Sequence, residues 1–232
     1  MNESKTDMPG KSSAEKPRWP AGVRELMLLT NVLPLLHAVV CMALLWRGQF
    51  VLALGCLYLV PPLLTRGWLK LRGFQPGVHA VTEEVFMTWW VTAQAQMIFN
   101  RLPFLEEVLR LVPGLYSLWM RLWGAKIGRL TFWGPHVRIV DRPLIIIGDD
   151  VVIGGGCQIG SHLLVRDEGG AMTLQIAAVE IGGEALVGTY AMIGPGVVIE
   201  PRAEVRACAI IPPFNRWRGE KRVKPETAHH GE

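Results

Sequence analysis

No two of the four cysteines, Cys41, Cys56, Cys157 and Cys208, stand in a CxxC spacing, and the first two lie inside apolar runs. That spacing speaks against a zinc site and a disulfide framework alike, and a reducing compartment fits the chain better. Charge of one sign is also scarce, since the formal net charge is only +4 over 232 residues. An excess of this size suits a partner carrying phosphates, or an anionic lipid surface, and is too small to argue for nucleic acid. Basic and aromatic residues are not interleaved as in a nucleic-acid module. No nucleotide-binding α/β unit stands in the N-terminal half, which removes a nucleotidyltransferase fusion. A small-x-small cleavage site before the second apolar run is missing too, which weighs against a cleaved signal peptide.

Apolar surface, by contrast, is plentiful: hydrophobic residues make up 50% of the chain, rich for a soluble protein. Residues 1–23 mix Ser, Pro, Lys and Glu without a period and read as a flexible tail. From Leu26 to Trp46 the only polar residues are Thr30, Asn31 and His37, enough chain to cross a bilayer core of roughly 30 Å. A second run from Phe50 to Leu64 comes after Arg47, Gly48 and Gln49. It is short for a span unless its flanks join it, and Pro34 and Pro61-Pro62 disturb helices. The reading is a membrane-associated helical hairpin over residues 24–72, with a buried soluble hairpin as its rival.

Lys5, Lys11, Lys16, Arg18 and Arg24 precede the hairpin and Arg66, Lys70 and Arg72 come after it, against Arg47 alone in the connection. The bias puts both ends on the cytoplasmic face, of a bacterial inner membrane on this reading. Residues 73–124, helical from 78 to 123, interleave tryptophans with arginines and glutamates. They suit interfacial amphipathic helices or a helical layer packed on the C-terminal domain.

From there the apolar period changes. Ile127, Trp133 and Ile139 stand six apart, as do Ile147, Ile153, Ile159 and Val165, and again Ile181, Val187, Ile193, Ile199 and Val205. Glycine comes directly after most of the early members, and a small residue recurs four places later at Ala185, Ala191, Val197, Ala203 and Ala209. A period of six fits neither a helix nor a lone strand. It fits a strand-plus-turn unit stacked into a parallel β-helix, with the aliphatic inward and the small residue at the corner. Residues 125–212 are assigned to it and 213–232 to a basic tail.

On these residues the chain resembles the hexapeptide-repeat acyltransferases, and GAKIGRLTFWGPHVRIVDRPLIIIGDDVVIGGGCQIGSH is similar to the start of this domain in colanic-acid-type O-acetyltransferases. The resemblance implies an α+β chain whose left-handed β-helix comes after the hairpin, a homotrimer with sites between subunits, and acyl transfer from coenzyme A or an acyl carrier protein. These would be co-substrates, with no bound cofactor and no metal. The hairpin sets it apart from the soluble maltose and galactoside O-acetyltransferases and shifts weight to a lipid-linked or glycan acceptor held at the membrane.

The repeat breaks after Gly160-Ser161-His162, where the loop RDEGGAMTLQ intervenes before Ile181. Breaks in regular arrays are where ligands are clamped. In the sugar acetyltransferases a histidine before such a loop, succeeded by a resumed IGxxxxIG repeat, is the general base, which maps onto His162. If successive coils stack, Asp141 and Arg142 fall one coil, roughly 4.8 Å, from Ser161 and His162. Asp141 could then orient the imidazole, or pair only with Arg142. Asp167 and Gln158 are weaker candidates. By register the Thr189 amide, after Gly188, is the candidate oxyanion donor. Arg216, Arg218, Lys221, Arg222 and Lys224 could meet the phosphates of the donor, or be a solvated tail. A three-histidine zinc carbonic anhydrase is discounted, since only His136 and His162 lie in the repeats. A non-catalytic membrane-tethered scaffold remains the competing class.

Overall fold

The computed structural model describes residues 21–167 and 169–223. Most of the N-terminal tail, with Lys5, Lys11, Lys16 and Arg18, lies outside the described residues, as does Lys224.

Ala21–Thr30 (α1) and Leu33–Trp46 (α2) are separated by a turn at Asn31 and Val32. Pro34 lies in the first turn of α2, where a backbone N–H has no helical partner to lose. Phe50–Arg72 (α3) is longer than the apolar run alone suggested and continues through Pro61 and Pro62. The reason is visible one helix layer away. Pro62 cannot donate to the carbonyl of Tyr58, and the indole Nε1 of Trp119 donates to that oxygen instead, at 2.9 Å. Gly22–Trp46 and Phe50–Arg72 span 25 and 23 residues and are each long and apolar enough to cross a membrane. Their outward side chains are uncovered: Leu35 is 65% and Val51 83% exposed.

Gly77–Ala80 (β1) is a strand where helix was expected, because it pairs with a later hairpin. Three helices come next: Glu84–Arg101 (α4), Phe104–Arg110 (α5) and Leu115–Trp123 (α6). Phe99, Trp119 and Trp123 bury themselves against the first inward residues of the repeat, so these helices close one end of the β-helix.

The coils begin with Lys126–Ile127 (β2), Phe132–Trp133 (β3) and Arg138–Val140 (β4), one strand on each of three faces. Ile145–Ile147 (β5), Val152–Ile153 (β6) and Gln158–Gly160 (β7) make the second coil. His162–Arg166 (β8) and Met172–Ile176 (β9) then leave the wall as an antiparallel hairpin, with β1 paired on the outer edge of β9. Val179–Ile181 (β10), Leu186–Val187 (β11) and Met192–Ile193 (β12) resume the winding. Val198–Ile199 (β13), Glu204–Val205 (β14) and Ile210–Ile211 (β15) form the next coil, and Arg216–Arg218 (β16) continues the first face. Lys221–Val223 (β17) turns back antiparallel on β16.

The parallel registers pair Ile127 with Ile147, Ile147 with Ile181, Ile181 with Ile199, and Ile199 with Trp217. The six-residue period thus places each inward aliphatic on its predecessor. Ile153, Ile159 and Val187 are almost wholly buried, and each such side chain contributes about 1.5–3 kcal/mol by leaving water. Three features differ from the expectation. Val165, which continues the spacing of six, lies half-buried in β8 and outside the parallel faces. The expected loop RDEGGAMTLQ is largely strand, because Leu174 and Ile176 bury their side chains on Phe86 and Trp89 of α4. The parallel ladder also runs past residue 212 to β16.

At most of the glycines after the inward aliphatics the next coil leaves no space for a side chain. A Cβ on Gly154 would stand 2.6 Å from the amide nitrogen of Thr189 in the next coil. At the corners a different residue turns the chain: Asp150, Glu184, Tyr190 and Arg202 adopt φ near +60°, each three places after an inward aliphatic.

Candidate active site at the break in the coils

That corner rule fails at two places, and both matter. After Ile139 the left-handed residue comes one position early, at Asp141 (φ 62°, ψ 57°), with a short 3-10 turn over Arg142–Leu144 behind it. Aspartate tolerates this conformation better than most residues. After Ile159 the third residue is His162, which is extended and opens β8 instead of turning the corner. The last paired residues are Val140 and Gly160, so Asp141 and His162 leave adjacent coils side by side.

The Asp141 carboxylate is buried, 3% exposed, and makes two contacts. Its Oδ2 lies 2.5 Å from Nδ1 of His162, and its Oδ1 accepts from Nε1 of Trp89 at 3.0 Å. The Trp89 indole also lies against the imidazole, with ring centroids 4.5 Å apart. An ionised carboxylate only accepts, so Nδ1 carries the hydrogen and Nε2 the lone pair. The His162 side chain keeps 23% exposure, which leaves a face open to a reactant.

Arg142 does not pair with Asp141. It is itself buried and turns its guanidinium to the carboxylate of Glu106, with further bonds to Oε1 of Gln96 at 3.1 Å and Oδ1 of Asn100 at 3.0 Å. Phe99, Trp119 and Trp123 surround it, each with its ring centroid less than 6 Å away. Glu106 also accepts from the Tyr116 hydroxyl, and burial, then that carboxylate, pushes the Tyr116 phenol well up, so it stays a donor. The backbone N–H of Arg142 donates to Gln96 as well, at 2.8 Å. The early turn that presents Asp141 is therefore anchored from α4 and α5.

The other expected site residues lie elsewhere. Asp167 accepts from the Ala171 amide at 2.8 Å at the hairpin tip, and Gln158 faces outward on β7. Thr189 occupies the turn before β12, and Gly188 donates to Val205 at 2.8 Å. His162 comes after β7, and β7 and β12 are parallel neighbours. Thr189 and His162 are thus at opposite ends of one face. His136 occupies the same end as Thr189, so the two repeat histidines do not converge. Arg216 and Arg218 stand on β16 and grip Glu200, at 3.4 Å and 2.7 Å, and Arg218 first and then Arg216 hold that carboxyl below its usual range. Lys221 is exposed on β17.

Trp89, Gln96 and Glu106 are not marked in the sequence, because nothing in the helical segment shows which of its polar and aromatic residues face the coils. A second cluster is equally hidden: the ligand atoms of His37, Cys41 and Cys56 lie within 4.8 Å of one another across the hairpin. Two helices contribute them, so no CxxC spacing announces them, and Nε2 of His37 is bonded to the Cys56 carbonyl at 3.0 Å.

No protein-family model matches the chain, and no curated protein matches it. Solved structures do. A hexapeptide-repeat-containing acetyltransferase from Vibrio cholerae is 19% identical, with 56% of this chain and 90% of that one covered and a TM-score of 0.40. A maltose O-acetyltransferase from Clostridium difficile is 15% identical over 69% of this chain and 95% of its own, with a TM-score of 0.44. A galactoside acetyltransferase in complex with coenzyme A is 16% identical over 52% and 76%, with a TM-score of 0.35.

Proposed function

We propose that this protein is a membrane-associated acyltransferase. It moves an acyl group from a thioester, on coenzyme A or an acyl carrier protein, to a hydroxyl or amine of a lipid-linked or glycan acceptor. The Asp141–His162 contact at the break in the coils carries the reading, because it is an oriented base beside an opening in an otherwise regular wall. Nε2 of His162 takes the proton of the acceptor as its oxygen or nitrogen attacks the thioester carbonyl. Asp141 holds the tautomer and faces the imidazolium that forms, while Trp89 holds Asp141. Collapse of the tetrahedral intermediate breaks the carbon–sulfur bond, and the leaving thiolate receives the proton back from His162.

In this reading the β-helix is left-handed and assembles as a homotrimer. The Thr189 amide that holds the oxyanion then comes from a neighbouring subunit, which answers the separation of Thr189 and His162 within one chain. Arg216, Arg218 and Lys221 would face the donor phosphates, with the first two leaving Glu200 in part to do so. The uncovered apolar helices support a hairpin inserted in the membrane, and the basic residues flanking it favour both ends on the cytoplasmic face.

The test is acyl transfer by purified protein, with the acceptor identified by lipid and glycan profiling of cells with and without it. His162→Ala is expected to lower turnover by roughly 10²–10⁴-fold with the fold intact by circular dichroism. Near-wild-type turnover in that variant would leave the scaffold reading.

A further inference from the structure

Between α2, α3 and α4 lies a groove of about 650 Å³, within the roughly 300–1,000 Å³ typical of sites for small molecules. Leu36, Val40, Val60, Leu64 and Val91 make it mostly apolar. Thr65 and Trp68, near the basic end of α3, also line it. Their Oγ1 and Nε1 atoms are buried and have no hydrogen-bond partner among the described residues, and Thr65 as a whole is 3% exposed. Buried donors without acceptors are uncommon in folded proteins, so two along one groove call for a ligand that brings one.

Their position along the hairpin says what kind. Thr65 and Trp68 share the last two turns of α3 with Arg66, Lys70 and Arg72, the residues that would stand at the headgroup level. Cys56, at the other end of the groove, lies about 14 Å deeper than Thr65 and about 18 Å deeper than Trp68 at 1.5 Å per residue. The groove therefore has its unpartnered donors where a membrane lipid has its oxygens, and from there to His37 and Cys56, which are already hydrogen-bonded to each other, its walls are mostly apolar.

We propose that this groove binds one membrane lipid, its hydrocarbon chain along Leu64, Val60 and Val40 and an ester, amide or hydroxyl oxygen received by Thr65 and Trp68. Occupancy requires a small rotation of these two side chains toward the chain's linkage. Since α4 forms one wall through Val91 and Thr92 and also carries Trp89, the site lies against the helix that supports the Asp141–His162 pair. The inference rests on the membrane placement proposed above. It does not require that acyl transfer occur.

The experiment uses the full chain in phosphatidylcholine–phosphatidylglycerol vesicles containing a phospholipid with a photoactivatable group on its acyl chain, and maps the labelled residues. Val60, Leu64 and Val91 are expected to label well above Val51, although Val51 is the most exposed of these. Val91→Trp should abolish the groove label while Val51→Trp leaves it. Thr65→Val with Trp68→Phe should reduce it about tenfold, the effect of losing roughly one net hydrogen bond. Label spread over the hairpin in proportion to exposure would overturn the proposal, as would crosslinking of two copies through Val60→Cys in a chain whose Cys41, Cys56, Cys157 and Cys208 are replaced by alanine. His162→Ala should label like the wild type, so an inactive enzyme and an empty groove give different results.

Discussion

Trp89 is the residue on which the site geometry turns, because it donates to Asp141 and lies against the ring that Asp141 orients. Trp89→Phe keeps the ring contact and removes the donor, leaving one carboxylate oxygen buried and unpartnered. A merely structural residue would lower stability alone. A positioning residue should also lower kcat by about tenfold with KM little changed. Asp141→Asn is expected to cost less than loss of the imidazole, since an amide still accepts one hydrogen bond but brings no negative charge. Both are read in steady-state kinetics on the same acceptor.

At the scale of the element, the coil spacing leaves no room after several of the inward aliphatics. Gly154→Ala places a methyl group 2.6 Å from the Thr189 nitrogen, where the obstruction is backbone and the coils must separate. Loss of about 1–3 kcal/mol, as for other overpacked positions, is expected in a thermal or denaturant melt. The far end of the β-helix depends on charge as well. Arg218 and Arg216 depress the folded-state pKa of Glu200, so their stabilisation is present above the unfolded carboxylate pKa and is lost as pH falls through the lower folded value. A Glu200→Gln protein should therefore show a flatter loss of melting temperature between about pH 5 and pH 3 than the wild type. Helix α3 makes a similar point with neutral groups: at Pro62 the Trp119 indole supplies the donor that the Tyr58 carbonyl would otherwise lack.

For the whole molecule, a large apolar surface remains uncovered in a single chain. The hairpin exposes leucines and valines along both helices, and Leu111 and Val112 after α5 and Leu118 on α6 are exposed as well. The chain is expected to resist high-salt and carbonate extraction, and removal of residues 24–72 to release what remains. Release of the intact chain by salt would make the hairpin soluble core. The separation of Thr189 from His162 argues in the same way for a partner: mass measurement in detergent should find three chains, and a monomer would remove the shared site.

The coils were legible in the sequence because a stacked solenoid repeats one local solution. Every Ile181-like position meets its own equivalent above and below, so the period of six records a contact as well as a conformation. The break at His162 was legible for the same reason, and Asp141 could be placed by counting one coil back. The α4–α6 layer has no such repetition. Which of Trp89, Trp90, Phe99 or Trp119 faces the coils depends on how three helices dock, and that docking also made strand of Gly77–Ala80 and turned Arg142 from Asp141 to Glu106. Repetition makes tertiary contacts local in sequence terms. Where it stops, only the packed structure decides which side chains meet.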